Sequence, residues 1–208
     1  MRAGAGPENS RDQRQHELRR HLQTMSRFVD SATPGACLTM VLRSADSDPA
    51  KALVGLKGAL QRVGATAKVI LAKLEPENDL RQLFASLSEL APQVPAHELI
   101  RWMRNPRLLE VHEQVIYGET MCWSGDAIRR DADKRNALAL FEESAPEAVR
   151  FGRLAFAALW RASVPVPERR LIGPASARPS GAFEQPLDPA LDPAALRPNL
   201  QIWPLLRH

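Results

Sequence analysis

The stretch VHEQVIYGETMCWSGD, residues 111–126, decides how this chain folds. Side chains alternate in its first half, a period of two that is typical of a β-strand with two different faces. One face would carry Val111, Val115 and Tyr117. The other face would carry His112, Gln114 and Ile116. The stretch therefore predicts a strand that presents one apolar face and one face with an imidazole and an amide.

The second half of the stretch predicts a return strand. Gly118-Glu119 suits a two-residue hairpin turn, because glycine at the first central position fits a type II′ geometry. The return strand would cover residues 120–123 and open into a tight turn at residues 124–126. This hairpin would bring an imidazole, an amide, a carboxylate and a glycine turn together, namely His112, Gln114, Glu119 and Gly125.

The segment before the hairpin predicts a parallel sheet. Residues 37–42 (CLTMVL) and 66–74 (TAKVILAKL) are nearly continuous apolar runs, as expected of strands buried on both faces. Between them, Pro49 begins a helical pattern that Gly64 ends. Such a strand–helix–strand unit pairs its strands in parallel with a right-handed crossover.

Other segments predict helices around this sheet. An Arg-rich amphipathic helix is predicted to begin near Ser10. An organelle presequence or a membrane-surface helix is the alternative. We favour a helix that packs on the domain, because Glu17 and Asp30 interrupt the basic face. Further helical patterns are a helix over 80–90, a helix or irregular segment over 99–103, and a helix from Pro146 that carries Val149, Leu154, Phe156, Leu159 and Trp160. Residues 137–141 predict a short strand.

The predicted fold class is α/β, a mixed sheet with helices on both faces. Residues 1–9 are expected to be disordered, residues 10–162 to form the domain, and residues 163–208 to form an extended tail. That tail holds more than half of the 17 prolines. Its apolar end, near Trp203, either docks on the domain, which we favour, or binds a partner.

Composition excludes several classes of protein. The 208 residues carry a net charge of +4, which permits a phosphate-rich partner without requiring one. No window approaches the ~18 apolar residues of a membrane span, and no secretory signal is visible. The two cysteines, Cys37 and Cys122, form no metal-binding motif, and no nucleotide-binding or zinc-protease motif occurs. We expect no cofactor, no metal and a cytoplasmic location with reduced thiols.

The hairpin and the order of elements resemble one half of a phospholipase D-like domain. The motif of that family is His-x-Lys, four residues, Asp, and then a Gly-Ser-x-Asn turn. At the same spacing this sequence has His112, Gln114 and Glu119, followed by Gly125-Asp126 one residue early, and by Ile128 in place of Asn. The resemblance covers roughly residues 20–161.

The resemblance implies a mechanism and a partner. In such enzymes two motifs meet; one His attacks phosphorus to give a phosphohistidine and the other protonates the leaving oxygen. With one motif per chain, two copies of His112 could meet only in a homodimer, with the strands continuing between subunits. The implied catalytic residues are His112 and Glu119, and the implied phosphate-binding residues are Gln114, Gly125, Arg129 and Arg130.

Departures from the motif weaken the expected activity. Gln114 brings no charge to a phosphate, and Asp126 brings a negative one, which Arg129, Arg130, Lys134 or Arg135 would have to offset. We therefore favour a degenerate phospholipase D-like protein, a pseudoenzyme with weak or absent phosphodiesterase activity centred on His112. The alternative is a non-catalytic binding or scaffold module for an anion, a nucleic acid or a protein; a membrane-surface protein ranks third.

Overall fold

A computed structural model of the chain describes residues 7–74, 80–129 and 139–172, with side chains from residue 15 onward. Seven strands form one mixed sheet in the order β6-β5-β4-β1-β2-β3-β7. The elements are α1 (Pro7–Ser31), β1 (Cys37–Leu42), α2 (Asp48–Arg62), β2 (Thr66–Leu71), α3 (Arg81–Leu90), β3 (Ile100–Trp102), β4 (His112–Tyr117), β5 (Met121–Ala127), β6 (Leu140–Glu142), α4 (Pro146–Ala162), β7 (Val164–Pro165) and α5 (Glu168–Leu171). Two 3₁₀ turns cover Ala96–Glu98 and Pro106–Glu110.

Parallel pairing of β1, β2 and β3 sets the direction of the sheet. Cys37 pairs with Thr66 and Val69 pairs with Ile100, both in parallel. Strand β4 runs antiparallel to β1, so β4 begins at the edge where β1, β2 and β3 end. We call this the carboxyl edge. The mixed α/β sheet flanked by helices is confirmed.

The two faces of the sheet are buried to different extents. On the first face, α1, α2 and α3 pack over a large core that includes Met40, Val69 and Val115. On the second face, smaller clusters form around Val41, Ile70 and Phe156, the last of which lies on α4. Because fully burying one large apolar side chain contributes about 1.5–3 kcal/mol, the first face supplies most of the stability.

The hairpin differs from its prediction at both ends of β5. Tyr117 pairs with Met121, so the loop spans three residues, 118–120, rather than two. Gly118 has the positive φ, +71°, that the turn was expected to need. At the other end no turn forms over residues 124–126, since β5 continues through a β-bulge to Ala127.

Three further expectations are wrong. Residues 100–102 form a strand, not a helix or an irregular segment; three residues are too few for periodicity to reveal a strand. Val111 lies just before β4 and packs with the second-face cluster instead of alternating onto the first face. Leu154 of α4 is 64% exposed. In addition, α1 begins at Pro7, before the expected start at Ser10.

The domain extends past the expected boundary at residue 162. Strand β7 pairs antiparallel with β3, and Val166 and Leu171 are buried in the first-face core. Pro165 is compatible with this strand because β7 lies at the edge of the sheet, where no amide donor is needed on the outer side. Residues 1–6, the charged loop within 130–138 and the tail from residue 173 lie outside the described residues.

Among the helices of the described ranges, none combines the length and the apolar character that crossing a bilayer requires.

Candidate functional site

His112 begins β4 at the carboxyl edge, and its side chain is exposed. Its Nδ1 lies 2.8 Å from the carbonyl oxygen of Gly125. A carbonyl oxygen can only accept, so Nδ1 carries the hydrogen and the Nε2 lone pair is left free. Within the described residues no side chain or backbone group hydrogen-bonds to Nε2. The imidazole is thereby held in the tautomer of a base or nucleophile.

The β-bulge in β5 creates this hydrogen bond. Gln114 pairs with Ser124 and His112 pairs with Ala127, so two residues of β5 lie opposite one residue of β4. Bulges bend a strand and redirect its groups. Glycine is required at 125 because a Cβ there would lie 2.5 Å from the Trp123 ring.

Gln114 lies two residues from His112 on the same face of β4. Its side chain is half-buried and packs on the backbone of α4, where its Nε2 would lie 2.8 Å from a Cβ added at Gly152. The amide thus occupies the space between the sheet and α4.

Glu119 lies in the hairpin loop at the opposite end of β4. Tyr117 lies five residues beyond His112 along the extended strand, a span of roughly 17 Å. Glu119 is instead paired with Arg153 of α4, at 3.0 Å, and its side chain is 84% exposed. The structure therefore does not bring Glu119 to His112, whose imidazole is held by the carbonyl of Gly125 instead.

The expected phosphate-binding arginines are only partly described. Arg129 is exposed beside the carboxyl edge and forms an ion pair with Glu110. Arg130, Lys134 and Arg135 lie outside the described residues. The assignment of Gln114, Gly125, Arg129 and Arg130 to a phosphate therefore stays a prediction.

A buried ion pair beneath His112 was missed by sequence reasoning. Arg43 follows β1, Glu113 follows His112, and each residue is only 8% exposed. The backbone N–H of Arg43 donates to Glu113 Oε1 at 2.9 Å, and Arg43 Nη2 lies 3.5 Å from Oε2. The guanidinium also donates to the carbonyls of Ala127 and Ile128, at 3.1 and 3.4 Å. The sequence did contain a signal for this ion pair: Glu113 is a charged residue on the face of β4 that otherwise carries Val115 and Tyr117.

Several carboxyl groups surround this ion pair on the first face. Ser47 Oγ donates to Glu113 at 3.2 Å, and Asp126 is buried at 3% exposure. Burial raises the pKa of Glu17 to about 7, and the nearby carboxylates of Asp48, Asp126 and Glu113 raise it further in that order. The Asp126 side chain, which was expected to bring a negative charge to the phosphate site, thus lies near other carboxyl groups on the first face, next to α1.

Two other residues have structural roles. His21, on α1, is fully buried, with Nδ1 2.7 Å from the Tyr117 hydroxyl. Burial lowers the pKa of His21 to about 3, so the ring is neutral at pH 7. Burial also raises the pKa of the Cys122 thiol to about 11, which disfavours the reactive thiolate near pH 7.

Metal ligands do not cluster in the described part of the chain, where no group of three or more His, Cys, Asp or Glu side chains could hold an ion.

Comparison with known proteins finds structural similarity but no match by sequence. No family model matches the chain, and no curated protein matches its sequence. Among solved structures, the chain is similar to a phospholipase D family member, Nuc from Salmonella typhimurium. The similarity covers 70% of this chain and 89% of that one, at 16% sequence identity and a TM-score of 0.43.

Proposed function

We propose that this chain is a degenerate phospholipase D-like protein that binds a phosphate ester at the carboxyl edge and has weak or no phosphodiesterase activity, centred on His112. The observation that carries the proposal is the hydrogen bond from His112 Nδ1 to the Gly125 carbonyl. In the neutral ring this leaves the lone pair of Nε2 available to a ligand, on a side chain that is exposed.

The proposed reaction needs two histidines. Nε2 of one His112 attacks phosphorus, forming an N–P bond while the bond from phosphorus to the leaving oxygen breaks. A protonated His112 of a second copy gives its proton to that oxygen, then removes a proton from the water that hydrolyses the phosphohistidine. The proposal therefore includes a homodimer, for which sedimentation velocity is the direct measurement.

Three features of the site support weak activity. Gln114 is uncharged and packs against α4, Glu119 lies at the far end of β4, and the buried cation Arg43 is already paired with Glu113. Loss of one positioned donor to a developing charge typically costs about 10²–10³ in rate. Without a free cation at the position of Gln114, we expect the site to hydrolyse phosphodiesters slowly.

The test is hydrolysis of bis(p-nitrophenyl) phosphate by the wild type, His112→Ala and His97→Ala. His97 is an exposed histidine before the start of β3, at the opposite edge of the sheet. We expect slow turnover that is lost in His112→Ala and kept in His97→Ala. Equal rates in all three would overturn a catalytic role of His112.

The binding part of the proposal has a separate measurement. If turnover is absent, titration with inorganic phosphate and with a DNA or RNA oligonucleotide at several salt concentrations decides whether the edge binds phosphate. Affinity that falls steeply with salt would leave the alternative, a non-catalytic binding module. No binding in either titration would contradict both functions.

A further inference from the structure

The indole ring of Trp123 lies against the residue that orients His112. Trp123 precedes Gly125 by two residues on β5 and is 5% exposed. A Cβ added at Gly125 would lie 2.5 Å from Cη2 and 2.7 Å from Cζ2 of Trp123, both in the outer, six-membered part of the indole. The ring therefore occupies the space of a side chain at residue 125, next to the bulge whose carbonyl lies 2.8 Å from His112 Nδ1.

Two aromatic neighbours hold the Trp123 ring in this place. The His21 imidazole meets it edge to face, with 4.6 Å between the ring centroids and an angle of 76° between the planes. The Phe141 ring lies 6.1 Å from the Trp123 ring and 4.9 Å from the His21 ring, measured between centroids. Aromatic pairs at such separations attract each other beyond the effect of their burial. The three rings form one aromatic cluster, to which α1, β5 and β6 each contribute one member.

Packing, rather than a hydrogen bond, sets the position of the indole. Nε1 of Trp123 is buried and has no hydrogen-bond partner among the described residues. A buried N–H without a partner costs free energy. Phenylalanine would avoid this cost, so the property that distinguishes tryptophan at this position is the reach of its larger ring toward Gly125.

We infer that Trp123 is a positioning residue for His112, because its ring holds the bulge in the shape that aims the Gly125 carbonyl at Nδ1. Bulges redirect the groups of a strand, and an imidazole without a fixed partner exchanges its hydrogen between Nδ1 and Nε2. The ring thus determines, through one carbonyl, which nitrogen of His112 keeps its lone pair. The tautomer is a property of the folded chain, whereas its catalytic consequence rests on the proposed function.

The experiment reads the tautomer of His112 by NMR of the nitrogen-15-labelled protein, since protonated and unprotonated ring nitrogens have well-separated shifts. Spectra are recorded near pH 8.5, well above the ordinary histidine pKa of about 6.5. The signals of His112 are those that are absent from His112→Ala. We expect a single tautomer, with the hydrogen on Nδ1, in the wild type. We expect both tautomers in Trp123→Phe, whose smaller ring stays in the aromatic cluster but does not reach Gly125.

Trp160→Phe is the matched control. Trp160 stacks on Phe156 at the second face of the sheet, with 5.5 Å between the ring centroids, and its variant should keep the wild-type tautomer. A loss of stability alone leaves the tautomer of the folded protein unchanged. If Trp123→Phe does not fold, Phe141→Leu, at a half-buried member of the aromatic cluster, should also produce both tautomers. A single Nδ1–H tautomer in the folded variant, or both tautomers already in the wild type, would overturn the inference.

Rates of hydrolysis separate this inference from the proposed function. If the wild type hydrolyses bis(p-nitrophenyl) phosphate, Trp123→Phe should be at least about tenfold slower, because a misplaced reacting group lowers the rate steeply, and Trp160→Phe should stay within about twofold. A changed tautomer without turnover in any variant keeps the inference and removes catalysis. Turnover that depends on His112, with an unchanged tautomer in Trp123→Phe, keeps the proposed function and removes the inference.

Discussion

His112 and Glu113 are neighbours in the sequence that lie in opposite environments. The imidazole is exposed on the second face, whereas the carboxylate is buried on the first face and holds Arg43 at the end of β1. The alternation of a β-strand produces this contrast. Glu113 thus fixes the end of β1 to the start of β4, directly next to His112.

Replacing Glu113 should be strongly destabilising. In Glu113→Ala, the buried guanidinium of Arg43 loses its counter-charge, a loss that costs about 3–5 kcal/mol of unfolding free energy. The matched control is Glu119→Ala, which breaks an ion pair whose carboxylate is 84% exposed, with an expected cost below about 1 kcal/mol. Urea unfolding of both variants measures the difference. Similar losses would mean that the Arg43–Glu113 pair does not hold these strands together.

Alanine at two glycines should have effects of opposite sign. In Gly125→Ala the new Cβ would lie 2.5 Å from the Trp123 ring, which packs against His21 and Phe141 and cannot withdraw. We expect a loss of about 1–3 kcal/mol. Gly58 lies within α2 with nothing within 4 Å of its Cβ position, so Gly58→Ala should gain about 0.5–1 kcal/mol. Thermal unfolding measures both, and destabilisation of equal size would contradict the contact at Trp123.

At the scale of elements, long periodic segments were predictable and short ones were not. Strand β1, helix α2 and strand β2 follow from apolar runs and a proline-to-glycine helical pattern. Strand β3, of three residues, carries too little pattern, and the bulge in β5 resembles a turn because both use Gly125. His112 could be selected from its motif position, but its partner could not, since a backbone carbonyl has no signature in the sequence.

Leu171 and Ile172, at the end of α5, are adjacent residues that differ in burial. Leu171 in α5 is 3% exposed, whereas Ile172 is 62% exposed. Leu171→Ala should cost about 2–5 kcal/mol because it leaves a cavity in the core, and Ile172→Ala should cost within about 0.5 kcal/mol, as for a surface change. Chemical denaturation of both variants is the measurement. Equally small losses of unfolding free energy in both variants would mean that Leu171 adds nothing to the core, and the domain boundary would then lie near residue 162.

At the scale of the whole molecule, two buried groups shape stability as a function of pH. The folded pKa of Glu17, about 7, exceeds its ordinary value of 4.5, so its protonated form is favoured by folding and stability falls as pH rises toward 7. His21 acts in the opposite sense. Its folded pKa of about 3 lies below 6.5, so the stability it contributes is lost as pH falls from 6.5 toward 3. The two effects oppose each other between pH 4.5 and 6.5.

Glu17→Gln should remove the fall in stability that Glu17 causes between about pH 4.5 and 7. The variant should match the wild type near pH 4 and exceed its unfolding free energy by up to about 3 kcal/mol at pH 8, since one pKa unit corresponds to about 1.4 kcal/mol. Glu147→Gln, at a side chain that is 81% exposed, is the control and should run parallel to the wild type. Urea unfolding at several pH values gives the curves. A constant offset between Glu17→Gln and the wild type would show that Glu17 is ionised throughout.

The two described edges of the sheet have a consequence for self-association. Strand β6 has three residues, and β7 has two, one of them Pro165, which lacks an amide hydrogen. Edges this short, with a proline on one of them, offer few free backbone groups to an incoming strand. We therefore expect neither of these described edges to favour the addition of a strand from a second copy, which also disfavours the strand-by-strand growth that leads to fibrils.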